Sequence, residues 1–166
     1  MKHQPTKAQK GNDIVMTPEY MAKALVDYFN PTGIVLEPCK GTGNILKYLP
    51  ENSPWCELSE GKDFFDYNEQ VDWIFTNPPW SKIRLFLIHS MTISNDICFL
   101  FTLNHLCTSA KIRDIKSAGF GIKELVLLDQ PKEFPRIGFQ LAMVHIQKGY
   151  SGPIHHTYLN IEKELF

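Results

Sequence analysis

The sequence predicts an α/β fold: a mostly parallel central sheet with an antiparallel final strand and helices on both faces. Three observations carry that expectation. Short apolar runs alternate with segments whose apolar residues recur at helical spacing, as in layered α/β proteins. Residues 97–103 are apolar save for Thr102, as expected of a strand covered on both faces. The last two apolar runs, 123–128 and 139–147, stand close enough in sequence to pair antiparallel.

Taken in order, Thr17-Pro18-Glu19 opens a helix. Thr17 suits the cap, Pro18 the first turn, and Glu19 the positive end of the helix dipole. Met21, Leu25 and Tyr28/Phe29 recur on one face before Asn30-Pro31-Thr32-Gly33 ends it. Residues 34–36 read as a buried strand, Gly41-Thr42-Gly43 as the turn after it, 44–49 as a short helix, and 55–58 as a second strand. Residues 72–76 form the next strand. Ile83, Phe86, Leu87 and Met91 suit a helix after the double proline, and Ile112, Ile115 and Ala118 mark another, ended by Gly119. A turn-rich link, 130–138, joins the last two strands.

The length suits one domain, expected over residues 13–166 after a flexible basic arm, 1–12, with Lys2, Lys7 and Lys10. The formal net charge of −1 offers no global attraction for a polyanion, so nucleic-acid binding would need a local basic patch. The four cysteines, 39, 56, 98 and 107, show no C-x-x-C pairing, which fits reduced, buried thiols. No apolar run is long enough to span a bilayer, and the start is too polar for a signal peptide; a cytoplasmic location without membrane attachment is the expectation. No cysteine or carboxylate stands at ligand spacing from His155-His156, so no metal site is expected. His105, near a strand end, is read as a satisfied polar residue.

Three segments carry chemistry. Glycines 41 and 43, just after a strand, allow close backbone approach to a ligand at the carboxyl end of a parallel sheet. Leu46 stands where a dinucleotide fold would place a third glycine, and the acidic Glu37 suits a cationic ligand better than a pyrophosphate. Glu57, at a strand end, is placed for both hydroxyls of a ribose. Asp63 can accept from an exocyclic amine, and Phe64 can offer an apolar face to a purine. Together these residues describe a pocket for an adenosine without phosphates. The third segment is Asn77-Pro78-Pro79-Trp80. Two prolines lack N–H groups and have nearly fixed φ, so the loop presents rigid acceptors with few competing donors. Asn77 Oδ1 and the Pro78 carbonyl could take both hydrogens of a planar amine, while Trp80 stacks on the base, an interaction worth about 1–3 kcal/mol. Taken singly, each segment also fits a plainer reading: a glycine turn, a surface acid beside a core aromatic, and a Pro-Pro turn with a core Trp.

In combination, residues 36–43 and 77–80 resemble the S-adenosylmethionine-dependent amino-methyltransferases, above all the DNA adenine-N6 methyltransferases. The resemblance extends to Thr17-Pro18, Glu57 and Asp63-Phe64 and covers roughly residues 13–148. It implies a Rossmann-like class I methyltransferase fold and S-adenosylmethionine as cofactor. It implies cofactor contacts from Met16, Thr17, Glu37, Pro38, Gly41, Gly43, Glu57, Asp63, Phe64 and Asn77. Asn77, Pro78, Pro79 and Trp80 would be catalytic. Trp80, Ser81, Lys82, Arg84 and Arg136 would meet the nucleic acid, expected to be DNA.

Two departures stand out. Lys40 occupies a position usually held by a small residue, so its side chain must point away from the cofactor or contact an acid. The short spacing from Glu57 to Asp63 implies a missing helix and strand. No target-recognition domain is expected, which points to little built-in sequence readout or to a separate recognition subunit. RNA, cytosine N4 and a protein glutamine amide remain open as alternative methyl acceptors.

Overall fold

The computed structural model describes residues 15–135 and 138–161. The expected arm, 1–12, and Arg136 lie outside the described residues. The elements are α1 (Glu19–Phe29), β1 (Val35–Leu36), β2 (Val71–Thr76), α2 (Ile83–Ile93), β3 (Ser94–Thr102), α3 (Ser109–Ser117), β4 (Phe120–Leu128), β5 (Leu141–Lys148) and β6 (His155–Leu159). They form one six-stranded sheet of order β1-β2-β3-β5-β4-β6. β1, β2 and β3 run parallel, β5 is antiparallel to both neighbours, and β6 lies parallel to β4. The antiparallel strand is therefore inserted between parallel ones and is not the final strand, as expected from sequence, because β6 follows it.

The core explains the apolar runs. Ile97 to Phe101 on β3 and Leu141 to Val144 on β5 are buried, and Phe75, Phe99 and Phe101 are among the largest fully buried side chains. β3 starts three residues earlier than its apolar run, with Ser94-Asn95-Asp96. These polar residues stay in the sheet because they bond sideways. Ser94 Oγ donates to the Asp72 carbonyl (3.0 Å), and Asp96 Oδ1 pairs with His145 Nε2 (2.7 Å) and accepts from Gln147 Nε2 (2.8 Å).

Two expected elements shrink. Residues 44–49 make only a 3-10 turn, Leu46–Tyr48. The strand expected at 55–58 is reduced to one parallel bridge, Glu37 with Trp55, backed by Glu37 N–H to Pro54 O (3.0 Å) and Cys56 N–H to Glu37 O (2.9 Å). Thr17 does not cap α1. Pro18 holds the cap position without a side-chain bond, and Thr17 is used elsewhere. His155 and His156 sit exposed on β6, and Cys107 is an exposed thiol, against the expectation that the cysteines are buried. Among the described residues no helix is long and apolar enough to cross a membrane.

Candidate active site

Register places the two suspect loops side by side. Leu36 pairs with Ile74 in parallel, so the turn leaving β1 and the loop leaving β2 emerge together at the carboxyl edge of the sheet. A cavity of about 360 Å³ opens there, lined among others by Met16, Pro38, Gly41, Glu57, Asp63, Phe64 and Asn77. Seven residues, from Met16 to Asn77, thus meet in one place, and every one was expected to touch a cofactor.

The glycine turn is held from beneath and from the side. Gly41 has φ +52°, and a Cβ there would stand 2.6 Å from Met16 Sδ. A side chain would therefore meet both backbone strain and a neighbour. The Gly41 N–H donates to Glu57 Oε2 (2.8 Å), while Glu57 Oε1 accepts from Ser59 N–H (3.2 Å) and Ser59 Oγ (2.7 Å). Three donors thus fix the Glu57 carboxylate at the cavity wall. Partial burial pushes its carboxyl up, but the bonds from Ser59 and Gly41, with Lys40 nearby, outweigh that and leave it below its ordinary value. Asp63 Oδ1 accepts from Phe65 N–H (3.0 Å), capping a short 3-10 turn. Phe64 is buried, its ring stacked on Phe86 (centroids 5.0 Å apart, 24°).

Asn77 is oriented by the segment ahead of α1. Its Nδ2 donates to the Val15 carbonyl (2.9 Å) and to the Thr17 hydroxyl (3.2 Å). Both amide hydrogens are engaged, so Oδ1 is the atom left for a ligand. Thr17 is buried for this purpose, and its carbonyl accepts from Asn44 Nδ2 (2.8 Å).

Other expected residues sit elsewhere. Glu37 does not line the cavity. It is fully buried behind the turn, Oε1 accepts from Cys39 N–H (3.1 Å), and the Thr76 hydroxyl is its polar neighbour, while among the described residues Oε2 has no well-aligned hydrogen bond. Burial pushes its carboxyl up to about 8. Lys40 meets the condition set by its unusual position. Its Nζ pairs with Glu60 Oε1 (2.6 Å) and lies 3.9 Å from the Trp55 ring centroid, turned toward an acid.

Trp80 offers no open face. It is 8 % exposed, its Nε1–H donates to the Leu100 carbonyl (3.2 Å), and its ring packs against His105 (5.4 Å) and Phe134 (6.1 Å). Pro78 is buried and Pro79 lines the cavity with Lys82. Ser81 is exposed, and Arg84 is committed to Asp114. Sequence reasoning missed Phe65 and Phe86, whose rings complete the apolar wall, and Asn44, which braces Thr17. Phe86 reads only as a core position of a helix, and Asn44 carried a signal only as the residue after the glycine turn.

Solved structures share this fold. A candidate RNA methyltransferase of Pyrococcus horikoshii superposes with TM-score 0.62 at 16 % identity, over 87 % of this chain and 89 % of its own. The modification subunit of a candidate type I restriction enzyme of Vibrio vulnificus gives 0.63 at 15 %, over 91 % and 48 %. A candidate class I S-adenosylmethionine-dependent methyltransferase of Listeria monocytogenes gives 0.59 at 13 %, over 96 % and 67 %. The chain has the class I methyltransferase fold. It spans about half the length of the modification subunit. No protein-family model matches the chain, and no curated protein matches it.

Proposed function

We propose that the chain is an S-adenosylmethionine-dependent methyltransferase that modifies the N6 amine of adenine in DNA. The observation that carries this reading is the orientation of Asn77, whose carbonyl oxygen is left free at the edge of a cavity that begins at the glycine turn.

The residues present fit the cofactor. Gly41 provides a wall without a side chain, and the fixed Glu57 carboxylate suits ribose hydroxyls. Asp63 stands beside the rings of Phe64 and Phe65, as an adenine with its amine requires. When bound, S-adenosylmethionine supplies a methyl carbon made electrophilic by its sulfonium, and attack by the amine leaves a neutral thioether and one released proton. Asn77 Oδ1 accepts one hydrogen of the substrate amine, and the Pro78 carbonyl is proposed as the second acceptor. Holding both hydrogens favours a pyramidal nitrogen with its lone pair free. No strong base is required, because the alkylated amine is far more acidic than its neutral parent. Alignment of this kind can contribute about 7–11 kcal/mol to lowering the barrier.

The substrate assignment rests on the likeness of Asn77-Pro78-Pro79-Trp80 to the catalytic segment of the adenine-N6 methyltransferases, since the corner of Trp80, His105 and Phe134 is closed on its own rings. A base stacking on Trp80 would have to displace Phe134 from its edge-on contact. In duplex DNA the base must also leave its stack. A recognition partner is part of the proposal, since the chain matches half of a modification subunit of a type I restriction enzyme.

The test is transfer of labelled methyl groups by the purified chain to single-stranded DNA, duplex DNA and RNA, with digestion to nucleosides and identification by mass. N6-methyladenosine in its deoxy form is the expected product. Label confined to RNA, to cytosine or to protein would overturn the substrate, and failure to bind S-adenosylmethionine would overturn the reading as a whole.

A further inference from the structure

The near-neutral net charge conceals a separation of charge along the chain. Residues 51–72 hold seven carboxylates and one lysine, whereas residues 77–94 hold Lys82 and Arg84 and no carboxylate. Residues 103–119 hold Lys111, Arg113 and Lys116 against a single carboxylate, Asp114. That carboxylate is already used. Arg84 Nε donates to Asp114 Oδ2 (2.6 Å) and Arg84 Nη2 to Oδ1 (3.2 Å), a bidentate pair that joins α2 to α3. Lys111 is half-buried beside it, and burial together with the Arg84 charge pulls its ammonium below the ordinary range. Of these charges Glu57, Asp63 and Lys82 line the cofactor cavity, whereas Arg113 and Lys116 stand on α3 outside it.

An open groove of about 580 Å³ runs along α3. It is lined by Thr108, Ser109, Ile112, Arg113 and Lys116, among others. Arg113 and Lys116 stand three residues apart on α3, so their side chains follow one another along the same face. Both are exposed, and among the described residues neither forms an ion pair. The groove starts at Cys107 and Thr108, directly after the turn Leu103–His105 that lays His105 against Trp80. It therefore leads away from the proposed base corner, with two hydroxyl groups at its near end and two cations farther along.

We propose that the α3 groove holds the phosphodiester backbone of the DNA strand whose base enters the Asn77 corner, with Arg113 and Lys116 as phosphate contacts. This rests on the reading of the chain as a DNA methyltransferase. Phosphates are the occupant because the groove sets two exposed cations beside hydroxyl donors and offers no apolar anchor larger than Ile112.

The test compares two double variants of the full chain with equal charge change, Arg113→Gln/Lys116→Gln and Lys23→Gln/Lys47→Gln. Lys23 lies on α1 and Lys47 in the turn Leu46–Tyr48, both outside the groove lining, and they serve as the control. Binding of a fluorescent oligodeoxynucleotide is titrated against sodium chloride, alongside S-adenosylmethionine affinity. The groove variant should lose at least about tenfold in DNA affinity, and the magnitude of its log–log salt slope should fall by about two. The control variant should keep the wild-type slope, and both should bind cofactor as the wild type does. An unchanged slope in the groove variant, or equal losses in both variants, overturns the groove while leaving the methyltransferase reading intact. DNA methylation by a groove variant at wild-type KM does the same. Absence of DNA binding by the wild type overturns both, and the same salt effect seen with RNA alone overturns DNA as the occupant.

Discussion

The amide of Asn77 is suspended from the hydroxyl of Thr17, 3.2 Å away, and from the Val15 carbonyl, 2.9 Å away. The loop after β2 is therefore aligned by the chain that precedes α1. Asn77→Ala removes the acceptor. Asn77→Asp keeps an oxygen but sets a carboxylate against the Val15 carbonyl, which cannot donate, and leaves only the Thr17 hydroxyl to turn and bond it. Both changes should lower kcat by about 10²–10³-fold, the usual worth of one preorganised polar group in an active site. The cofactor dissociation constant should move far less. Single-turnover rates and calorimetric titration check the two quantities, and wild-type rates from Asn77→Ala would remove Asn77 from the mechanism.

Thr17 gives a subtler test of the same link. Thr17→Val is close to isosteric and keeps the backbone bond to Asn44, but it leaves one Asn77 hydrogen without its acceptor. A single neutral hydrogen bond is worth about 1 kcal/mol. The expected cost is therefore a fall of about fivefold to tenfold in kcat with KM for the cofactor nearly unchanged, and Thr17→Ser should restore it. A loss that appears only as a lower melting temperature would show that Thr17 merely supports the fold.

Much of this was legible because the strands are buried on both faces and so wrote their positions as apolar runs. The glycine turn and the double proline were legible for a related reason: unusual backbone demands leave few residue choices. What stayed hidden was settled sideways, between elements. Ser94-Asn95-Asp96 looks like a loop until His145 and Gln147 arrive from β5 to bond it. β6 is an exposed edge with two histidines, so it has no apolar alternation to announce it. Trp80 was expected to face a ligand, but its N–H found the Leu100 carbonyl, and that bond is invisible in a tetrapeptide. Glu37 shows the limit most clearly, since an acid beside a proline reads as a ligand contact and is in fact sealed behind the turn.

Glu57 ties cofactor affinity to the shape of the glycine turn. Glu57→Ala removes the acceptor of the Gly41 N–H and the proposed ribose contact together. Hydrogen bonds to a charged group are worth about 1.5–3 kcal/mol, so cofactor affinity should fall roughly tenfold to a hundredfold. At saturating cofactor, kcat should hold. The pH dependence has a definite sign. The folded carboxyl lies below its ordinary value, so its stabilising contribution is present above the unfolded value near about 4.3 and is lost as pH falls through the folded one. The stability difference between wild type and Glu57→Gln should therefore be constant near neutrality and shrink in acid. A difference that grows in acid would contradict the bonding described for Glu57.

Glu37 should behave in the opposite way. Its carboxyl is pushed by burial up to about 8 in the folded chain, against about 4.3 when unfolded. Between those values the folded state holds a proton that the unfolded state has released. Stability must then fall as pH rises, by at most about 1.4 kcal/mol per unit, and level off above about 8. Glu37→Gln mimics the protonated acid, keeps an oxygen for the Cys39 N–H, and places an amide beside the Thr76 hydroxyl. Its stability should be nearly independent of this titration. Chemical denaturation of both proteins from pH 5 to pH 9 should therefore show the variant gaining on the wild type as pH rises, with the gain saturating near pH 8. Parallel curves over the whole range would mean that Glu37 is ionised within the fold. The turn that carries Gly41 would then rest on a buried charge instead of a neutral acid.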